Sequence, residues 1–119
     1  MKYMLLFAGT EDYHDTFRTM SDEKRRQSLA TVEKWWGEQA KAGRILEGHQ
    51  LQAASTATTV RTQDGKSLVT DGPFIEAKET IGGYAIINVP GLDEAIELAK
   101  AWPAGGTVEV RPLVDRPDM

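Results

Sequence analysis

A rigid turn at Asp71-Gly72-Pro73-Phe74 is the feature that most constrains how this chain folds. Glycine permits backbone angles that are barred to other residues, and proline fixes φ and lacks a backbone donor. A β-strand that enters this turn must therefore stop pairing at Asp71. The runs 56–62 and 66–70 are rich in β-branched residues, and Asp64-Gly65 between them is a strong hairpin signal. The sequence thus predicts a β-hairpin that ends in a fixed turn.

Two helices are predicted on either side of this hairpin. Ser21 can cap a helix over residues 22–42, whose apolar stripe comprises Leu29, Val32, Trp36 and Ala40. Trp36 fits that stripe, which leaves Trp35 to pack at an edge or against a loop over residues 10–20. The second amphipathic helix begins at Leu92 and ends before Pro103.

Four further strands are predicted at residues 2–8, 44–51, 82–89 and 107–114. In the second of these, alternation places Ile45, Glu47 and His49 on one side. The order β, α, β, hairpin, β, α, β is that of an α+β ferredoxin-like sandwich, an antiparallel sheet with two helices on one face. The chain of 119 residues is expected to form one domain, residues 1–119.

A sheet of this kind leaves its second face without a helix layer. Strands as apolar as residues 2–8 and 82–89 place hydrophobic side chains on that face. Because closed two-fold dimers are the commonest oligomers, a second copy packed sheet to sheet is the simplest cover. We therefore expect a homodimer with a cavity between the two sheets.

Composition narrows the class of function. The formal net charge is −4, with 14 Lys and Arg dispersed among 18 acidic residues, which argues against binding to nucleic acid. Cysteine is absent, so disulfides and thiolate sites are excluded. No apolar run reaches the length of a membrane span, and we expect a cytoplasmic protein.

Two motifs that could suggest a cofactor or a metal do not have the required pattern. Gly82-Gly83 precedes a strand rather than a helix, so it does not form a phosphate-binding loop for a nucleotide. Asp12, His14 and Asp15 lack the spacing of a metal site. We therefore expect neither a metal nor an organic cofactor.

Several motifs along nearly the whole chain carry a resemblance to a known family. They are residues 1–6, 56–61, Leu68 to Phe74, Lys78-Glu79, Ile81 to Tyr84, 92–96 and 108–112. On these residues the chain resembles the DGPF group of the YCII-related family. The resemblance implies a dimeric α/β-barrel architecture. Because this group is often described beside extracytoplasmic-function sigma factors, it also implies a regulatory partner linked to a sigma factor.

The resemblance carries less information about chemistry than about family and fold. In YCII proteins proper, a histidine in the first helix and a nearby aspartate are proposed as an acid/base pair. Residues 27–31 of this chain read Gln-Ser-Leu-Ala-Thr, and the predicted first helix contains no histidine. The pair is therefore not carried over to this sequence.

Asp71 and His49 are the candidate catalytic residues. Asp71 can orient a histidine or act as a general base, or it can bond backbone amides in its own turn, as aspartates in turns commonly do. His49 can act as an acid or base because imidazole titrates near physiological pH, with Glu47 on the same face to hold it. The alternative for His49 is a partly exposed side chain whose hydrogen bonds are satisfied.

Four residues are candidates for ligand binding, namely Phe74, Lys78, Tyr84 and Arg111. The two aromatic rings can stack on a small planar compound, or they can belong to the core or an interface. The two cations, with neighbouring acids, can hold an anionic or zwitterionic ligand, or they can form ion pairs at a dimer rim. Arg111 alternates with Val108 and Val110 and so should point away from the helices.

Two functions fit these residues. One is small-molecule binding in a cavity of the dimer, with a regulatory role. The other is a cofactor-independent enzyme that uses acid/base chemistry on a small organic substrate. For the enzyme, Asp71 and His49 should lie within hydrogen-bond reach on a common cavity, directly or through a water. For the binding module, the cavity should be apolar, with the two groups apart or buried in structural hydrogen bonds.

Overall fold

A computed structural model describes residues 1–9, 13–73 and 79–116, with side chains in the first helix described from residue 16 onwards. The elements in chain order are β1 (Lys2–Gly9), α1 (Tyr13–Thr19), α2 (Asp22–Lys41), β2 (Ile45–Gln50), a short 3₁₀ turn (Ala54–Thr56), β3 (Thr58–Gln63), β4 (Lys66–Asp71), β5 (Thr80–Asn88), α3 (Leu92–Lys100) and β6 (Thr107–Pro112).

The main sheet has four antiparallel strands in the order β2-β5-β1-β6. With one helical connection between β1 and β2 and another between β5 and β6, this arrangement is consistent with a ferredoxin-like fold. The predicted α+β class and antiparallel sheet are confirmed. β3 and β4 form a separate two-stranded sheet, which we call the hairpin arm.

The hydrophobic core lies between one face of the sheet and the helices. Tyr3, Leu5 and Phe7 alternate along β1 and are buried, and Ala85 and Ile87 stand beside them on β5. Helices α2 and α3 cover this face with a small set of buried side chains, namely Trp35, Ala95 and Leu98. The opposite face carries Met4, Leu6, Tyr84 and Ile86, all half-buried.

The expectation of a loop over residues 10–20 was wrong, because Tyr13–Thr19 form α1. The end of this helix is held by a side chain from the next helix. Arg25 donates from Nε to the carbonyl of Phe17 at 2.9 Å and from Nη2 to the carbonyl of Arg18 at 2.9 Å. These carbonyls belong to the last turn, where a helix has no partners of its own. Because this contact comes from α2, residues 13–19 themselves show no periodic pattern that would have predicted a helix.

The assignment of Trp35 to an edge or a loop was also wrong, whereas Trp36 packs against the core as predicted. Trp35 is only 6% exposed, whereas Trp36 is half-buried. Trp35 packs edge-on to Phe7 and Trp102, with ring centroids 6.2 and 5.0 Å apart. The helix face that packs on a sheet spans at least about 100°, wide enough for two adjacent large rings. Trp36 lies against β2 at Gly48, where a Cβ would clash with its indole.

A β-bulge in β2 changes which of its residues share a face. The register shifts between Ile45 and Glu47, so that Ile45 pairs with Ile87 on the helix side while His49 pairs with Tyr84 on the opposite side. Simple alternation had placed Ile45 and His49 together, which was wrong because one extra residue in a strand reverses the faces beyond it.

The hairpin arm confirms the predicted hairpin and its Asp64-Gly65 turn. Asp64 and Gly65 both have positive φ, 54° and 75°, as a two-residue hairpin turn requires. β4 ends at Asp71, and Gly72 follows with φ 97°. The molecule measures 46 × 45 × 20 Å. Because one sheet and one helix layer together are about 20 Å thick, the arm extends within the plane of these layers.

Candidate functional site

A cavity of about 450 Å³ lies between the sheet and the helices, at the sheet end where β1 finishes and β5 begins. Its described walls include Phe7 from β1, Leu29, Val32 and Trp36 from α2, and Trp102 after α3. Thr16 of α1 and Met20, between α1 and α2, also line it. The cavity is therefore formed within a single chain, on the helix side of the sheet.

Glycines form the part of the cavity wall where strands converge. At Gly83 a Cβ would lie 3.0 Å from the carbonyl oxygen of His49, and at Gly106 it would lie 2.5 Å from the carbonyl oxygen of Ala8. Gly106 also has φ 75°, a conformation that side chains rarely adopt. Both glycine pairs, Gly82-Gly83 and Gly105-Gly106, line the cavity, and the sequence patterns gave no sign of this role.

The cavity wall carries no formal charge among its described residues. These include no Asp, Glu, Lys or Arg, although such residues make up 27% of the chain. Four uncharged polar residues contribute, namely Thr16, Gln50, Gln52 and Thr80. The titratable members are His49 and Tyr84. A wall of this composition suits a neutral molecule, because a buried unpaired charge would have no counter-charge there.

His49 and Tyr84 lie side by side where the sheet borders the cavity, with their side chains on the sheet face opposite the helices. They are register partners on β2 and β5, and their ring centroids are 6.0 Å apart. His49 is exposed and Tyr84 is half-buried. Glu47 occupies the same face of β2, opposite Ile86. The structure thus brings two candidate residues together beside a cavity.

Asp71 lies elsewhere. It is exposed at the end of β4, in register with Thr58 of the hairpin arm, and it is absent from the described cavity wall. Within the described parts of the chain, no hydrogen bond joins Asp71 to His49. The catalytic role of each residue stays a prediction, and a direct contact between the two is not part of this structure.

Arg111 lies on the sheet face opposite the helices, in register with Met4, where alternation with the valines of β6 had placed it. Its Nη2 is 2.7 Å from Oε1 of Glu109, and both side chains are largely exposed. It is not among the described residues that line the cavity. Phe74 and Lys78, the other ligand-binding candidates, lie outside the described residues.

Membrane spans and metal sites are two further features to consider. None of the helices in the described ranges is long and apolar enough to cross a membrane. Residues 1–9, 13–73 and 79–116, as far as their side chains are described, contain no group of three or more His, Cys, Asp or Glu side chains that could hold a metal ion.

The topology and the cavity define a small α+β protein with a ferredoxin-like sheet and an apolar internal site. The family model described as the YCII-related domain matches residues 1–116. The chain therefore belongs to the YCII-related family. It is also 33% identical over 117 residues to an uncharacterised protein of Rhizobium meliloti, a match that covers 95% of this chain and 92% of the relative.

Proposed function

We propose that this protein binds a small, neutral and largely apolar molecule in the cavity between α2 and the sheet. The observation that carries the proposal is the combination of volume and wall chemistry: about 450 Å³, with aromatic and aliphatic side chains and no charged residue in the described wall. Ligand pockets commonly have volumes of roughly 300–1,000 Å³ and mostly apolar linings with a few polar groups.

The aromatic walls favour a planar ligand. Phe7 and Trp102 are tilted against each other, with centroids 4.2 Å apart and planes inclined by 33°, and Trp36 lines the cavity from α2. Rings arranged in this way offer flat apolar surfaces on which another ring can stack. Gln50 and Gln52 supply amide groups that can bond a polar end of the ligand.

A homodimer of dimeric α/β-barrel form is the second part of the proposal. The sheet face opposite the helices carries apolar side chains at Met4, Leu6 and Ile86, with the Arg111–Glu109 pair at one edge. An apolar centre with a charged rim is the usual anatomy of a protein interface. Sheet-to-sheet packing would cover His49 and Tyr84, which lie on this same face.

Regulation is the role that we propose for ligand binding. The Asp71-Gly72-Pro73-Phe74 motif supports placement in the DGPF group, and that resemblance is the reason to expect a partner linked to a sigma factor. A cofactor-independent enzyme is the second candidate, favoured by the pairing of His49 with Tyr84 on the open face of the sheet. For any compound that the wild-type protein converts, His49→Gln should abolish turnover but change ligand affinity by no more than about twofold.

The binding proposal is tested with two fluorescent dyes that differ in charge. We expect neutral phenylnaphthylamine to bind at least about tenfold more tightly than its sulfonated analogue, because the sulfonate loses hydration without gaining a partner. Val32→Trp, which fills the cavity, should abolish binding of the neutral dye. Glu33→Trp is the matched control, since the adjacent side chain is exposed and absent from the cavity wall. Equal affinity for both dyes, or unchanged binding by Val32→Trp, would contradict the proposal.

A further inference from the structure

We infer that the hairpin arm docks on a second copy of this chain, alongside β6, with Val60 and Val69 in the groove between β6 and α3. The inference rests on the proposed homodimer and adds a contact outside the sheet faces. It assigns one occupant to that groove, namely the arm of the partner copy.

The hairpin arm is largely exposed among the described residues. Every residue of β3 and β4 is exposed except Thr59, which is half-buried and donates its hydroxyl to the carbonyl of Gly72 at 2.6 Å. Val60, Leu68 and Val69 are 60%, 61% and 61% exposed. A two-stranded hairpin alone is marginally stable in water, so a surface that packs against it is needed.

The two faces of the arm differ in charge. Val60 and Val69 are cross-strand partners, flanked on the same face by Thr62 and Ser67, whose hydroxyl oxygens are 3.4 Å apart. Asp71 is the charged residue of this face, at its base. The other face carries Arg61 and Lys66. The face of Val60 and Val69, whose charge lies only at its base, is therefore the one suited to an apolar groove.

The groove beside β6 has matching chemistry. It has a volume of about 440 Å³, and its walls include Val108 and Val110 from β6 and Ile96 and Ala99 from α3. Lys100 is the charged member of the described wall. β6 lies at the edge of the sheet, and its outer side pairs with no other described strand. An open strand edge beside an apolar groove accepts an added strand, because the backbone groups and the side chains are both satisfied there.

Geometry favours a copy of the same chain as the source of that strand. β3, β4 and β6 are each six residues long, and the arm extends within the plane of the sheet. The arm follows β2, whereas β6 lies at the opposite edge of the sheet. A chain that carries both an arm and a groove can exchange arms reciprocally in a closed two-fold dimer.

Docking of the arm would also affect the ligand cavity. Trp102, Gly105 and Gly106 line both the groove and the cavity, so this segment is a shared wall. An arm in the groove would fix the outer side of Trp102. The partner copy would then contribute to the shape of the proposed ligand site.

Disulfide trapping tests this contact directly, because the natural chain has no cysteine. We expect oxidation of the double variant Val69→Cys with Ala99→Cys to give a covalent dimer as the main species. The matched control is Leu68→Cys with Ala99→Cys, since Leu68 is as exposed as Val69 but lies on the other face of the arm. Because a disulfide also needs Cβ vectors that point toward each other, and that of residue 68 points away from the groove, we expect the control to give at least about fivefold less covalent dimer.

Each other result would overturn the inference. Equal yields from both double variants would indicate random collision, and a cross-link within one chain would place the arm on its own molecule. A dimer by sedimentation that forms no covalent product would remove the arm contact but keep the proposed homodimer. A monomer at all concentrations would remove both. Circular dichroism of each variant in its reduced form checks that the fold is intact.

Discussion

The four-stranded sheet and the hairpin arm have equally clear sequence patterns, but within the described residues only the sheet is covered by other parts of the chain. Leu5, Ala85 and Ile87 of the sheet have no exposed surface, whereas Val60 and Val69 of the arm are about three-fifths exposed. Alternation and turn residues thus specify local pairing in both regions. The stability of a strand also depends on a second layer of side chains that packs against it. Tertiary or quaternary packing supplies that layer.

Truncation of one apolar side chain in each region should give the largest difference between the sheet and the arm. We expect Leu5→Ala to lower the free energy of unfolding by about 3 kcal/mol, because a fully buried leucine leaves a cavity when it is removed. Val69→Ala should change it by less than about 0.5 kcal/mol in dilute solution. Urea unfolding at low protein concentration measures both values. Equal losses would mean that the arm packs on its own chain.

Two glycines extend the comparison to the backbone. At Gly48 a Cβ would lie 2.5 Å from the carbonyl oxygen of Tyr84 and would clash with the Trp36 ring, whereas at Gly65 it meets nothing within 4 Å. We expect Gly48→Ala to lower the free energy of unfolding by about 2 kcal/mol through overpacking. Gly65→Ala is strained by its φ of 75°, but that strain lies in the arm.

The same unfolding experiment separates the two glycine variants. Gly65→Ala should fray the hairpin turn, seen as faster amide exchange near residue 65, with global stability within about 0.5 kcal/mol of the wild type. Gly37→Ala on α2 is the control for a methyl group added in open space, since its Cβ would also meet nothing within 4 Å, and it should raise the free energy of unfolding by about 0.5–1 kcal/mol. A large global loss from Gly65→Ala would show that the arm and the sheet unfold as one unit.

The fold was largely predictable because its signals are local. Ser21 caps α2 by accepting from the amide of Lys24 at 3.2 Å, and Asp64-Gly65 forms the hairpin turn that its residue types require. The errors arose where a distant contact decides the outcome. Arg25 holds the end of α1 from outside that helix, and the bulge after Ile45 shows no special residue type in the sequence.

The candidate site was less predictable for the same reason. His49 and Tyr84 were named from residue type, and the strand register places them together. The cavity wall could not be named, because Phe7, Trp36 and Trp102 come from three separate elements that meet only in the folded chain. The wall also contains glycines at positions 82, 83, 105 and 106, which contribute by leaving space. Patterns of side chains along the sequence do not indicate such space.

The smallest predicted effect concerns the edge of the sheet face that we assign to the dimer. Arg111 and Glu109 pair at 2.7 Å with side chains that are 67% and 48% exposed. Exposed pairs contribute little after solvent screening, so Arg111→Gln should change the free energy of unfolding of the monomer by less than about 0.5 kcal/mol. The dimer dissociation constant, measured by sedimentation at low and high salt, should change by less than about threefold. A change of a hundredfold or more in the dimer dissociation constant would show that the pair is buried between the two copies. The open face of the sheet would then contain a buried ion pair, unlike the apolar face that the helices cover.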